Sequence, residues 1–258
     1  KKIPIIIHEP DSNPGLVNKV FAPYAKIISL GMEAAQAKFE SLTKAKIIIN
    51  GNPLAERFLK LPNRLEACNE LGLNPDLPVV LVTGGSQGAQ AINEAVYEMV
   101  SDMVQGPEKA KFQIVHQIGD KNWADMEAHL DSSIRNHPLY KAKKYFDNLA
   151  IPYAACDIAV CRSGAMTISE LAVTGTPAIF IPYPFAAADH QAFNAHYIAS
   201  KGAAKVIMQN DLSSSELHKA IIQLITDTNH LSMMQRQMHS LAKPQAATQL
   251  TEQLLQWS

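Results

Sequence analysis

Two segments of the sequence have the composition of a phosphate-binding site. In the first, Gly84, Gly85 and Gly88 follow an apolar run and precede a helical pattern, with Ser86 and Gln87 among them. Glycine lets a backbone approach a ligand closely, and the free N–H groups of a helix start attract an anion. The spacing is neither Gly-x-Gly-x-x-Gly nor a Walker A loop, which argues against a nicotinamide dinucleotide. A tight strand-to-helix turn without a ligand explains the loop equally well.

The second segment runs from Arg162 to Glu170 and also follows an apolar run. Ser163 is predicted to cap a helix, whose positive end would then point into the crevice where open α/β sheets bind ligands. Glu170 lies one to two turns into this helix, where its carboxylate could accept both hydroxyls of a sugar diol. The alternative for Glu170 is a solvent-facing position.

Polar side chains of varied type follow a third apolar run at Asp189, His190, Gln191 and Asn194. Such a mixture of donors and acceptors suits the recognition of sugar hydroxyls. A helix N-terminus capped by Asp189 is the alternative explanation.

A histidine beside carboxylates occurs near the start of the chain, where His8 and Glu9 end an apolar run and Asp11 lies just beyond. A histidine in such a setting could act as a general base. A surface histidine without a catalytic role is the alternative.

His116 and Gln117 end another run and are interpreted as turn residues or as the wall of a pocket.

These residues would be positioned by a parallel β-sheet. Short runs rich in Ile and Val recur, each followed by a turn and a helical pattern, as in βα units. Their continuous apolarity predicts strands that are covered by helices on both faces. The predicted strands are 3–7, 26–30, 46–49, 79–83, 112–116, 142–146, 157–161, 178–181 and 204–207. The predicted helices are 88–104, 165–174, 188–201 and 213–226, with a tail, 230–257, that breaks at Pro244.

The fold class predicted is α/β, with a Rossmann-like doubly wound sheet. Residues 1–50 hold three strand patterns and are interpreted as the back end of an N-terminal domain. Residues 51–243 are predicted to form a complete domain. Residues 244–258 are predicted to form a helix that crosses back towards the N-terminal part. Since residue 1 is Lys, a processed or trimmed product is expected.

Composition excludes several classes of protein. The chain carries 23 Lys and Arg against 24 Asp and Glu, so it lacks the positive field that would bind nucleic acid. The three cysteines have no paired spacing, which fits neither a disulfide scaffold nor a zinc site. The longest apolar stretch, 176–188, falls short of the roughly 18 residues expected of a membrane span.

Together the motifs resemble one family, the bacterial MurG glycosyltransferases. The matching stretches are HEPDSNPGLVNK (8–19), GNP (51–53), VTGGSQGAQAIN (82–93), HQIGD (116–120), the segment 153–195 and GAAKVI (202–207). The pair CRSGAMTISE and DHQAFNA, at this spacing, carries most of the specificity. The resemblance covers most of the chain, with the motifs in the same order.

The resemblance implies a GT-B fold whose C-terminal domain binds UDP-N-acetylglucosamine (UDP-GlcNAc) without a metal or cofactor. The backbone of Phe146 would contact the uracil, and Glu170 the ribose hydroxyls. His190 and Gln191 would contact the GlcNAc ring, and the substrate-binding set includes Asn194. The diphosphate would lie against Ser86, with Gln87 and Gly88 of the same loop, and against the helix start at Ala165, Met166 and Thr167. The substrate-binding set also includes Ser163 and Gly164. His8 and Glu9, as candidate catalytic residues, and Asp11 would line the cleft on the acceptor side.

The implied reaction is an inverting transfer of GlcNAc to the C4 hydroxyl of MurNAc in lipid I, which gives lipid II for peptidoglycan. The implied location is peripheral, on the cytoplasmic face of the plasma membrane, through the N-terminal domain. Two features depart from the family. The GGTGGH loop, with the family's main candidate base, does not occur in this sequence, and Ala55 stands where the family has Arg, unless Arg57 replaces it.

Two other functions are compatible with these motifs. One is a donor-binding subunit or fragment that requires a partner for the acceptor half. The other is a UDP-GlcNAc 2-epimerase, which shares the fold. The DHQAFNA motif favours the transferase over the epimerase.

Overall fold

Two parallel sheets form the framework of the protein, a computed structural model of which describes residues 3–105, 111–129 and 131–256. The smaller sheet has the order β1-β2-β3, and the larger has the order β6-β5-β4-β7-β8-β9. The strands are β1 (Ile6–Glu9), β2 (Ile27–Leu30), β3 (Lys46–Ile49), β4 (Val79–Thr83), β5 (Gln113–Gln117), β6 (Tyr140–Lys143), β7 (Ile158–Cys161), β8 (Ala178–Phe180) and β9 (Ala204–Val206).

The larger sheet is doubly wound. The chain adds β5 and β6 on one side of β4 and then returns to place β7 on the other side. The strand order therefore reverses between β4 and β7, and a crevice opens outside the carboxyl ends of the strands at such a point. This topology confirms the predicted α/β class, with a doubly wound parallel sheet.

Helices cover both faces of this sheet. Val80 and Val82 of β4 point to one face, and Val79 and Leu81 to the other, and all four are fully buried. The helices are α1 (Leu16–Phe21), α2 (Gln36–Glu40), α3 (Arg64–Leu71), α4 (Gln90–Gln105), α5 (Trp123–His129), α6 (Ser132–Arg135), α7 (Ala150–Ala155), α8 (Ala165–Thr174), α9 (His190–Ser200), α10 (Ser214–Thr226), α11 (Thr228–Ser240) and α12 (Ala246–Leu255). Apolar residues of α4 and α10 pack on the first face, and those of α3, α7, α8 and α9 on the second.

Local signals explain where several helices begin and end. Asn63 and Glu66 form a capping box at the start of α3, and the Ser213 hydroxyl caps α10. Gly175 ends α8 in the left-handed conformation, and Pro177 follows it. The bounds of α8 and α10 agree with the predicted helices 165–174 and 213–226 to within one residue, whereas α3 was not predicted.

Two strands differ most from the sequence-based prediction, and one of them is β6, which was predicted at 142–146 and lies at Tyr140–Lys143. Tyr140 pairs with Ile114 in the ladder and is buried, so this aromatic residue anchors the strand. The first strand was also placed too early, because the ladder of β1 with β2 runs from Ile6 to Glu9. In the tail, the break is the segment 241–245, and Trp257 lies outside the described residues.

The two sheets are connected by α12 as well as by the chain between β3 and α3. Gln253 of α12 exchanges two hydrogen bonds with Asn50 just after β3, at 3.1 and 3.2 Å. Both side chains are buried.

Within the described ranges, no helix has the length and apolarity needed to cross a membrane.

Candidate functional site

The glycine loop after β4 packs tightly against the loop after β5. Gly88 and Gly119 have φ angles of 86° and 92°, in the left-handed region. A Cβ on Gly88 would lie 2.2 Å from the Ile118 carbonyl oxygen, and a Cβ on Gly119 would lie 2.1 Å from the Gly88 nitrogen. Both positions therefore require glycine. The Asp120 N–H also donates to the Ser86 carbonyl at 3.0 Å, so the second loop supports the first.

One buried side chain, Gln117 at the end of β5, joins the glycine loop to the Phe146 segment. Its Nε2 donates to the Thr83 hydroxyl and to the Gly85 carbonyl, both at 3.3 Å, and its Oε1 accepts from the Phe146 N–H at 3.0 Å. The Phe146 N–H is thus occupied, whereas its carbonyl oxygen accepts no hydrogen bond from the described residues and is available to a ligand. From the sequence, Gln117 was interpreted only as a turn residue or as the wall of a pocket, and the structure places it within β5. The signal for its bridging contacts was a polar residue that ends an apolar strand close to a glycine.

The adjacent His116 has a structural role. It is fully buried, with Nδ1 2.8 Å from the Tyr140 hydroxyl and Nε2 3.0 Å from the Asn93 Oδ1. Burial lowers the pKa of His116 to about 3, so the ring is neutral at physiological pH.

Helix α8 begins at the crevice, but Ser163 does not cap it. Gly164 occupies the cap position, without a side-chain hydrogen bond. The Ser163 hydroxyl donates instead to the Gln191 carbonyl at 2.7 Å, so the predicted cap was wrong and Ser163 ties α8 to α9. Gly164 leaves open space where a Cβ would stand. Within the part of the chain that the structure describes, the first-turn N–H groups at Ala165, Met166 and Thr167 have no side-chain acceptor, so they can bind an anion.

Glu170, one turn further along α8, is largely removed from solvent. The Tyr153 hydroxyl donates to Glu170 Oε2 at 3.3 Å. Burial raises the pKa of Glu170 to about 7, against the weaker lowering influences of this hydrogen bond and of the positive charge on Arg57. The solvent-facing alternative is therefore excluded, and Arg57 is the cation that acts on this carboxylate.

A cleft of about 570 Å³ lies beside the glycine loop. Gln87, Gly88 and Gln191, all predicted site residues, contribute to its wall. Lys121 and Arg162 bring positive charge to the same wall. Phe146 and Glu170 do not line this cleft. Phe146 packs in the apolar cluster on the second face of the sheet, and Glu170 of α8 contacts Tyr153 of α7.

Arg162 shapes the loop that carries Gln191. Its guanidinium donates to the Ile181 and Pro182 carbonyls at 2.9 and 3.0 Å and to Gln209 Oε1 at 2.6 Å. It also lies over the ring of Tyr183, whose N–H donates to Gln191 Oε1 at 3.0 Å. The Gln191 side chain is therefore fixed through its oxygen, and its amide nitrogen has no hydrogen-bond partner among the described residues.

Two non-glycine residues just before α9 adopt left-handed backbone conformations. Ala188 and Asp189 have φ angles of 50° and 55°. Such backbone strain is concentrated at functional loops in proteins. Asp189 occupies the N-cap position of α9 without a side-chain hydrogen bond, so it is not the cap that the alternative explanation required. His190 is partly buried, and its Nδ1 donates to the Ala187 carbonyl at 2.8 Å.

Asn194 joins the two halves of the molecule, which are the part that carries the smaller sheet and the part that carries the larger sheet. Its Nδ2 donates to Asp11 Oδ1 at 2.7 Å and to the Ser163 carbonyl at 3.1 Å. Its Oδ1 accepts from the N–H and the hydroxyl of Ser12 at 2.9 and 2.7 Å. Because both donors and both acceptor positions are used, Asn194 has no group left for a sugar, and its predicted substrate contact is corrected to a structural one.

His8 and Glu9 are engaged by the protein itself. The His8 Nδ1 lies 3.0 Å from the Ser29 hydroxyl, and its Nε2 donates to Asn52 Oδ1 at 2.9 Å. The Glu9 carboxylate is buried and accepts from the N–H groups of residues 11 and 15 and from the Asn18 amide, at 2.8 to 3.0 Å. These contacts organise the loop after β1. The catalytic role of His8 and Glu9 stays a prediction, and one that this geometry does not favour.

No cluster of three or more potential metal ligands occurs among residues 3–105, 111–129 and 131–256. What the crevice offers a ligand is a glycine loop, the start of α8, a partly buried carboxylate and amide groups. This set suits a nucleotide sugar, whose diphosphate, diol and hydroxyls need anion-binding N–H groups, a carboxylate acceptor and amides, respectively.

Comparison with known proteins agrees with this chemistry, and the fold class is that of the GT-B glycosyltransferases. A crystal structure of Acinetobacter baumannii MurG superimposes with a TM-score of 0.75 at 23% identity, covering 98% of this chain and 68% of that one. A UDP-N-acetylglucosamine 2-epimerase structure gives 0.62 at 13% identity. At these identities the likeness shows the fold alone.

Sequence relatives define the family more narrowly. A model described as the glycosyltransferase family 28 C-terminal domain matches residues 79–250. A protein from Halothermothrix orenii, named UDP-N-acetylglucosamine--N-acetylmuramyl-(pentapeptide) pyrophosphoryl-undecaprenol N-acetylglucosamine transferase, is 38% identical over 97% of this chain and 67% of its own length. One of the same name from Nostoc punctiforme is 36% identical, over 97% and 66%. The chain belongs to the MurG family of glycosyltransferases and spans about two thirds of the length of these relatives.

Proposed function

We propose that this protein binds UDP-GlcNAc in the crevice of its larger sheet and serves the transfer of GlcNAc to the C4 hydroxyl of MurNAc in lipid I. The observation that carries the proposal is the 38% identity, over nearly the whole chain, to a relative named for this transfer. The arrangement of the glycine loop, the start of α8 and Glu170 around one crevice supports it.

In this mechanism the oxygen of the acceptor hydroxyl forms a bond to the anomeric carbon while the bond to the UDP diphosphate breaks, with inversion. The diphosphate leaves with the bonding electrons, and a base on the acceptor side takes the hydroxyl proton. Negative charge develops on the leaving diphosphate. N–H groups of the glycine loop and of the first turn of α8 are oriented before the reaction and stabilise this charge without a cation. Glu170 holds the ribose hydroxyls, the Phe146 carbonyl accepts from the uracil, and the free amide nitrogen of Gln191 donates to the sugar.

Contacts of His8 and Glu9 favour a second candidate function, a donor-binding unit that needs an acceptor half supplied by another chain. Both ring nitrogens of His8 have partners, and the Glu9 carboxylate accepts three hydrogen bonds. Neither group is free to take a proton from the acceptor in this arrangement.

Peripheral attachment to the cytoplasmic face of the membrane is part of the proposal. Leu16, Val17, Val20 and Phe21 of α1 are exposed, and Lys19 lies among them. An apolar helix face with a basic residue is suited to the interface of an anionic lipid layer.

The test is a calorimetric titration with UDP-GlcNAc in buffer that contains EDTA. We expect saturable one-to-one binding that weakens strongly in Glu170→Ala and is unchanged in Glu70→Ala, a matched change at an exposed glutamate on α3. Absence of binding to the folded wild-type chain would refute the proposal. Transfer of GlcNAc to a lipid I analogue by this chain alone would decide for the transferase over the donor-binding unit.

A further inference from the structure

Gln117 is a buried polar residue to which the proposed mechanism gives no function. It is fully buried at the end of β5, where the ladder places it between Thr83 of β4 and Lys143 of β6. Strands buried on both faces are otherwise apolar, because burying an amide loses stability unless its hydrogen-bonding groups find partners. A glutamine at this position is therefore explained by what it contacts.

The contacts of Gln117 reach two separate ligand-binding elements. Through Nε2 it donates to the carbonyl of Gly85 in the glycine loop and to the Thr83 hydroxyl, which itself accepts from the Gly85 N–H at 3.2 Å. Through Oε1 it accepts from the N–H of Phe146. The glycine loop is proposed to hold the diphosphate, and the Phe146 carbonyl to hold the uracil. These are the two ends of one nucleotide.

We infer that Gln117 is a positioning residue that fixes the glycine loop and the Phe146 segment relative to each other, so that the uracil and the diphosphate of one UDP are bound simultaneously. This inference rests on the proposed function. A ligand with two linked groups gains most when both subsites are held in place before it binds. Loss of the bridge leaves each subsite present but free to move against the other. The diphosphate then adds less to the affinity of uridine than it does in the wild type.

A matched control lies on the same strand. Gln113, at the other end of β5, is also buried, and its side chain accepts from the Asn74 N–H and donates to the Asn74 carbonyl, both at 2.7 Å. Gln113→Met and Gln117→Met each remove a buried amide from β5 and leave its hydrogen-bond partners without it. Only the second change removes contacts with the proposed nucleotide site.

The experiment measures the dissociation constants of UDP and of uridine for the wild type and both variants, at a temperature where all three are folded. For Gln117→Met we expect UDP affinity to fall about tenfold, the weight of one ordinary hydrogen bond. Uridine affinity should fall less, so the dissociation constant of uridine divided by that of UDP should decrease. Gln113→Met should keep both constants within twofold of the wild type while lowering the melting temperature comparably.

Unchanged UDP affinity in Gln117→Met would overturn the inference, and so would equal losses in the two variants, because a general loss of stability would explain them. If Gln117→Met does not fold, Gln117→Asn, which keeps the amide but shortens its reach, is tested by the same criterion. A folded wild type that binds no UDP would refute the proposed function itself. If instead the wild type and Gln117→Met both bind UDP equally well, the proposed function stands and only the inference about Gln117 fails.

Discussion

The pKa of Glu170 makes donor binding depend on pH in a range that is accessible to experiment. Burial raises this pKa to about 7, and only the ionised carboxylate can accept from both ribose hydroxyls. The binding-competent fraction is then about one tenth at pH 6 and about nine tenths at pH 8. Since apparent affinity scales with the competent fraction, UDP-GlcNAc should bind about tenfold more weakly at pH 6 than at pH 8.

The assay is a calorimetric titration at several pH values between 6 and 8. UDP-GlcNAc is a suitable ligand because its diphosphate is esterified at both ends and does not titrate in this range, unlike the terminal phosphate of UDP. Binding near pH 6.5 should release protons, so the measured heat should change with the ionisation enthalpy of the buffer. The Glu170→Gln variant should bind weakly at all pH values and show no slope. A flat affinity in the wild type, or a slope that survives in Glu170→Gln, would contradict this assignment.

The same carboxyl affects the free energy of unfolding in the opposite sense. Its pKa in the folded protein lies above its ordinary value, so between about pH 4.5 and 7 the folded state binds more protons than the unfolded state. Its contribution to stability is therefore present at low pH and is lost as the pH rises through 7. Glu170→Gln should melt at a higher temperature than the wild type at pH 8, and this difference should shrink at pH 5.

Four further substitutions test the site and its supports. Asn194→Ala removes four hydrogen bonds, three of them to the smaller-sheet part, and should lower the free energy of unfolding by about 2 to 4 kcal/mol, as measured by urea denaturation. Gly88→Ala forces a Cβ against a carbonyl oxygen and should abolish UDP-GlcNAc binding. Gly85 has a similar φ but open space around its Cβ position, so Gly85→Ala should lower the free energy of unfolding by only about 1 kcal/mol. Equal losses of stability in Gly85→Ala and Gly88→Ala would contradict the steric argument. Arg57→Ala removes a charge that lowers the pKa of Glu170 and should move the pH midpoint of donor binding upwards, an effect that should vanish in a Glu170→Gln background.

The sheet was largely predictable because strands covered on both faces leave an unambiguous pattern. Strand β4 coincides with the predicted run 79–83, and β7 begins one residue later than predicted, because continuous Val and Ile residues are needed wherever helices cover both faces. Strand β6 was misplaced because it forms the edge of the sheet. Its residues alternate between apolar and charged, and the pairing of Tyr140 with β5, rather than local apolarity, decides its start.

The site was less predictable, since hydrogen-bond partners distant in sequence leave no local pattern. Asn194 follows His190 and Gln191 in a motif that looks uniformly suited to a sugar, yet its partners Asp11 and Ser12 precede it by about 180 residues. Ser163 failed as a cap because a shift of one residue gives the N-cap position to a glycine and sends the serine hydroxyl to another helix. A sequence motif therefore identifies the region of a ligand without separating the residues that touch it from those that hold it.

Polar side chains contribute to the orientation of the two halves at the crevice. Asn52 accepts from the His8 ring at 2.9 Å and donates to the Pro10 carbonyl and to the Ser169 hydroxyl at 3.2 and 3.0 Å. A buried amide is tolerated only in the arrangement that satisfies it, so this contact specifies an orientation more than it adds stability. Ser169 directly precedes Glu170 on α8. The orientation of the smaller sheet is therefore linked to the helix that holds the ribose carboxylate, and a rotation of one half at this junction must either move that helix or leave Asn52 unpaired.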